Sequence, residues 1–113
     1  MSDKNVNKDS EKLFKSAKYK TKGISSEIPL CLEKLMWSMI EEMKVEKQDY
    51  FQVFILEKES ENSRIVQKIT HIQEQPEYEK TVVVPICENE VVEAKVYVID
   101  DIDHCTMLLA EEY

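Results

Sequence analysis

The densest group of chemically capable side chains is Asp100-Asp101-Ile102-Asp103-His104-Cys105, with three carboxylates, an imidazole and a thiol in consecutive positions. Carboxylate oxygens of this kind suit Mg²⁺, Mn²⁺ or Ca²⁺. A calcium loop of the EF-hand type needs glycine at its sixth position and glutamate at its twelfth. Counted from Asp100, those positions hold Cys105 and Glu111. His104 and Cys105 do not form a catalytic dyad, because neighbours on a strand point to opposite faces and a thiol–imidazole pair needs hydrogen-bond reach. Aspartates suit tight reversals by accepting backbone N–H bonds. The group is therefore expected first as a solvated turn, and second as a surface for a partner. His71 is expected as a satisfied structural histidine, able to meet Cys105 or Glu74 across a sheet.

Other chemistry is excluded by what the chain lacks. Gly23 is the only glycine. Phosphate-cradling loops, dinucleotide fingerprints and nucleophile elbows all need several glycines, because backbone must approach the ligand closely or turn with positive φ. The chain has no Cys-x-x-Cys pair, and His71 and His104 are far apart, so zinc spacing is absent. No catalytic, cofactor-binding or metal-ligating residue is assigned, and no cofactor is expected. Cys31, Cys87 and Cys105 are odd in number and scattered, which reads as free thiols in a reducing compartment. No apolar run approaches the ~20 residues of a membrane helix, and residues 1–22 hold no apolar signal-peptide segment. A cytoplasmic protein is the expectation, without membrane partners.

The net charge of −8 is unevenly spread over the 113 residues. Residues 1–22 carry seven lysines and three acids; the remainder carries eight basic and twenty acidic side chains, a net −12. Such a body repels nucleic acid and attracts basic protein surfaces. The lysine-rich arm could touch phosphates, but it has no arginine and few aromatics for base stacking.

These residues need elements to position them. Residues 1–17 read as a mobile, lysine-rich tail, and 18–113 as a single domain. Residues 19–24 alternate and read as a short strand ended by Gly23. Ser25 and Ser26 offer an N-cap and Pro29 a first turn for an amphipathic helix over residues 28–44. Its stripe is Leu32, Leu35, Met36, Met39, Ile40 and Met43, at three- and four-residue spacing. Trp37 lies beside the stripe, as an edge of the core or as an anchor for a partner. Residues 50–57 are aromatic and β-branched on both faces, which predicts a central strand covered on both sides. Residues 58–63 read as a loop. Further strands are expected at 64–74, 81–87, 91–99 and 105–109, with Pro85 marking an edge or a bulge. The implied fold is α+β: one long amphipathic helix on a curved antiparallel sheet of about five strands.

Four strings, KYKTKGISSEIPL (18–30), LMWSMIEEM (35–43), HIQEQPEYEK (71–80) and VYVIDDIDHCTMLLAEEY (96–113), together resemble the family called domain of unknown function 960. The last string is the most specific. Ala110 departs from the proline usual there in the family. The resemblance implies a compact α+β fold in low-GC Gram-positive bacteria and their phages, plasmids and other mobile elements. It implies no activity and brings no catalytic residue.

The expected function is a non-enzymatic protein-interaction module. Its candidate surface comprises Trp37, Asp100, Asp101, Asp103 and His104, and its partner is a protein with a basic surface. In a mobile-element setting that partner would be a host nucleic-acid enzyme, inhibited or modulated by acidic side chains. Two alternatives stand beside it: a small metal- or thiol-dependent enzyme at residues 100–105, and nucleic-acid binding through the lysine-rich arm. Oligomeric state is open.

Overall fold

The computed structural model describes residues 13–113. Strand β1 (Ala17–Lys20) leads into two helices, α1 (Lys22–Glu27) and α2 (Leu30–Glu41). Five strands follow: β2 (Phe51–Glu61), β3 (Arg64–Gln73), β4 (Tyr78–Val84), β5 (Ala94–Asp100) and β6 (His104–Leu109). Short 3₁₀ turns lie at Glu88–Glu90 and Ala110–Glu112. The six strands form one sheet in the order β1-β6-β5-β2-β3-β4. All pairings are antiparallel except β1 with β6, which is parallel because α1 and α2 intervene before the chain returns to the sheet.

The sheet has two unlike faces. Even-numbered β2 residues pair across the sheet with core residues of its neighbours, Phe54 with Val96 and Leu56 with Ile69. This face carries Phe54, Leu56, Ile69, Val96, Val98 and Met107, buried under Ile24 of α1 and Leu32, Met36, Met39 and Ile40 of α2. The helical stripe read from the sequence is thus the one that meets the sheet. Met43 is also buried, but beyond the last helical residue. Gln48 stops α2 there: its side-chain amide donates to the Ile40 carbonyl at 2.9 Å, satisfying a C-terminal acceptor.

Several boundaries differ from expectation. Among the described residues the sheet has six strands and the helical layer two helices, one longer, roughly compatible with the expected one long helix on about five strands. The segment read as a strand over 19–24 splits: pairing with β6 ends at Lys20, and α1 begins at Lys22. The cap of α1 is Thr21, whose side chain accepts from the Ile24 N–H at 3.3 Å; Ser25 and Ser26 lie inside that helix. The region read as a loop over 58–63 is strand as far as Glu61, closed by Asn62 and Ser63 at φ 52° and 66°. These are the values of a two-residue hairpin turn that matches strand twist. Residues 1–12 of the expected tail lie outside the described residues. Residues 13–17 belong to the body: Phe14 is buried in the core and Ala17 opens β1. Pro85 follows the edge strand β4 directly, where its missing N–H costs no ladder bond.

Candidate interaction surface

The residues 100–105 form the turn between β5 and β6, and their carboxylates are used one by one. Asp100 Oδ1 accepts from the Ile102 N–H at 2.9 Å, closing the reversal. Its Oδ2 accepts from the Phe14 N–H at 3.0 Å, tying the N-terminal segment to the sheet end. Asp101 reaches His104 Nε2 at 3.6 Å, and both side chains are substantially exposed. Asp103 is exposed. Among the described residues no group of three His, Cys, Asp or Glu side chains lies close enough to hold a metal ion. Ile102 is displayed at the tip, 87% exposed, with φ at 76°.

His104 and Cys105 diverge. Cys105 is fully buried on the helix side, where its thiol faces the Ala17 carbonyl at 3.5 Å and burial pushes its pKa up. His104 lies on the opposite face, edge-on to Tyr19 at 5.4 Å between centroids. Trp37 is half-buried on α2 beneath the Lys18 ammonium, 5.6 Å from the ring centre. Lys18 also donates to the Phe14 carbonyl, so Trp37, Lys18, Phe14 and Asp100 form one chain of contacts. The five candidate residues are therefore divided: Trp37 and Asp100 connect on the helix side, while His104 faces the other way.

His71 meets neither Cys105 nor Glu74. It is fully buried, stacked on Phe54 at 4.3 Å and edge-on to Tyr78. Its Nε2 lies 2.6 Å from Gln52 Oε1. The Gln52 amide nitrogen already donates to the Asp49 carbonyl and to Gln73 Oε1, so Gln52 Oε1 is the acceptor and His71 carries its proton on Nε2. Gln73 in turn donates to the Lys47 and Pro76 carbonyls. These three side chains pin both loops at that end of the sheet. Burial, reinforced by Lys80, lowers the His71 pKa to about 4, so the ring is neutral at pH 7.

The surface that composition did not reveal is the other face of the sheet. Residues 50–57 were expected to be covered on both sides, but both helices lie on one side. Phe51, Val53 and Ile55 of β2 stand half-buried on the open side, between Ile72 of β3 and Tyr97 of β5. They floor a groove of roughly 540 Å³. At its Phe51 end the rings of Phe51, Tyr97 and Tyr113 pack together, with centroids 4.8 to 5.5 Å apart. Tyr113 is 75% exposed and Tyr50 59%. Asp49 and Glu74 line the same end, and Lys95 is the one cation lining the groove among the described residues, 5.8 Å over Tyr97. Farther along this face Glu57 and Glu59 flank Lys68 at 4.0 and 3.9 Å. The signal in the sequence was the apolar residue at positions 51, 53 and 55 of β2, read as a buried second face.

Among the described residues no helix is long and apolar enough to cross a membrane. No curated protein matches the chain. A crystal structure of a protein of unknown function from Enterococcus faecalis matches with a TM-score of 0.67 at 19% identity, covering 87% of this chain and 91% of that one. That likeness concerns the fold. The model of a family described as "Staphylococcal protein of unknown function (DUF960)" matches residues 17–112, nearly all of the described body, and the chain belongs to that family.

Proposed function

We propose that the chain is a non-enzymatic protein-interaction module whose working surface is the open face of the sheet. The observation that carries this reading is the uncovered apolar and aromatic surface on β2, β3 and β5, lined by Phe51, Val53, Ile55, Ile72 and Tyr97. A contiguous patch of this kind is costly to leave in water and marks a contact surface. Acidic side chains around it, and the −12 balance outside residues 1–22, favour a partner with a basic surface. In the mobile-element setting that the family resemblance implies, a host nucleic-acid enzyme is such a partner, and occupancy of its basic groove would inhibit it.

The exposed Ile102 favours a second surface on the same molecule. A β-branched residue at positive φ, turned to solvent between the exposed Asp101 and Asp103, serves no packing role. The test is affinity capture from a staphylococcal lysate at low and high salt. Three baits are compared: wild type, the Phe51→Ser/Tyr97→Ser double variant, and the Asp100→Asn/Asp101→Asn/Asp103→Asn triple variant. A basic protein held by wild type and the triple variant, but lost by the double variant, supports the open face. Loss only in the triple variant transfers the function to the turn. Capture of nothing by wild type removes the reading.

A further inference from the structure

We infer that the open face binds an extended protein segment through an arginine seated at the Phe51–Tyr97–Tyr113 end of the groove. This rests on the reading of the open face as the working surface, and goes further in naming the chemistry that is recognised.

The floor sets the shape of the occupant. Phe51, Val53 and Ile55 are alternate residues of one strand, so their side chains repeat every ~6.8 Å. An extended segment laid along β2 presents its own alternate side chains at the same repeat. A helix can also lie along a sheet face, as α2 does on the other side of this one, but it would not place its side chains at that repeat.

The end of the groove sets the charge and geometry. The exposed rings of Tyr50 and Tyr113 and the half-buried ring of Tyr97 adjoin Asp49 and Glu74. One oxygen of Asp49 accepts from the Phe51 N–H at 3.2 Å, which holds the carboxylate at the groove mouth and leaves its second oxygen available. Aromatic faces beside carboxylates are the pairing that a guanidinium uses best. The planar cation stacks on a ring while its edge donates a fork of N–H bonds. Lysine offers a point charge and no plane. The chain already shows that a Tyr97 ring face takes a cation, because Lys95 lies over it. Among the described residues Lys95 is also the one positive charge lining the groove, and it opposes an incoming guanidinium.

The same charges argue against the other occupants. A second copy would set this face, where Asp49, Glu74, Glu57 and Glu59 outnumber Lys68 and Lys95, against another of the same sign, and single-stranded nucleic acid would bring phosphates against it.

The experiment uses the full chain and three labelled, end-blocked heptapeptides in which valine alternates with arginine, with lysine or with glutamate, alongside an eight-residue oligo(dT), read by fluorescence anisotropy. The arginine peptide binds most tightly, and the glutamate peptide and the oligonucleotide do not bind. Tyr97→Ala weakens the arginine peptide about three- to thirtyfold, the range expected for loss of one cation–π contact. Tyr97→Phe keeps the ring and most of the affinity, which separates recognition from folding. Asp49→Asn with Glu74→Gln weakens binding, and Lys95→Met tightens it.

Equal affinity for arginine and lysine peptides, indifference to Tyr97→Ala, or preference for the oligonucleotide overturns the inference. If no peptide binds while lysate capture still depends on Phe51 and Tyr97, the arginine assignment fails and the open-face reading survives. If capture is independent of those residues, both fall.

Discussion

At the scale of single residues, two side chains sit where their chemistry is least comfortable. His71 is neutral in the fold, with Nε2 bonded to Gln52 and Nδ1 buried without a partner among the described residues. Protonation would place an N–H in a site lined by Phe54 and Tyr78 and faced by Lys80, and nothing there accepts it. The unfolded ring takes its proton near pH 6.5, the folded ring only near about 4. Between those values the unfolded state binds more protons, so the contribution is full above pH 6.5 and is lost as pH falls toward 4. The separation corresponds to roughly 3 kcal/mol. Urea unfolding at pH 7.5, 5.5 and 4.5 should show wild type losing this increment and His71→Gln lacking it; equal slopes would count against it. Ile102 is the opposite case, exposed and held at φ 76°. Left-handed backbone costs an L-residue about 1–2 kcal/mol, and asparagine tolerates it better. Ile102→Asn is expected to raise stability by about 0.5–1 kcal/mol in the same assay, and a loss would mean that the isoleucine side chain makes stabilising contacts.

At the scale of elements, the only glycine has a local reason. Glu112, in the 3₁₀ turn Ala110–Glu112, reaches back over the start of α1. Its carboxylate accepts from the Thr21 hydroxyl at 2.6 Å, the Leu109 N–H at 2.8 Å and the Gly23 N–H at 3.1 Å. These bonds, the Thr21 bond foremost, hold its pKa below the ordinary value. A Cβ on Gly23 would stand 2.6 Å from Glu112 Oε2 and displace the carboxylate. Gly23→Ala and Glu112→Ala should therefore each lower the melting temperature, by a non-additive pair of effects. With Glu112 already gone, Gly23→Ala should be neutral or stabilising, because alanine favours a helix by up to about 1 kcal/mol. Additive losses would show that the carboxylate is not what Gly23 accommodates. This contact also explains what the sequence did and did not disclose. The stripe from Leu32 to Ile40 was legible because its periodicity matches its burial, and the strand at Phe51 because of its aromatic and β-branched content, although that content did not tell the covered face from the open one. Helix α1 was not, because KGISSE has no stripe and a glycine in its first turn; it is held by Thr21 and by Glu112, a residue 89 positions away from Gly23. Gln52, Gln67 and Gln73, all buried, were equally invisible, since a glutamine in a strand reads as solvent-facing until its partners are known.

At the scale of the whole molecule, the sheet is a wall with helices on one side, and adjacent residues of one strand report on its two sides. Leu56 is 1% exposed among Ile69 and Ala94, while Ile55 stands half-buried in the open groove. Both are aliphatic, equal in volume and in the same strand, so backbone propensity nearly cancels in the comparison. Leu56→Ala leaves a cavity under the helices and should cost about 2–5 kcal/mol. Ile55→Ala removes surface that water already reaches, and should cost less than about 1.5 kcal/mol by apolar area. The comparison has a second reading in the presence of a partner. A bound segment covers Ile55 and leaves Leu56 as buried as before. Ile55→Ala should then weaken association while changing the stability of the free chain little, and Leu56→Ala should do the reverse. Chemical denaturation of the free variants, followed by capture experiments with each, measures both. Equal destabilisation in the free chain would mean that the second face is already covered in solution. The open-face assignment, and the binding chemistry argued from it, would then have no surface to act on.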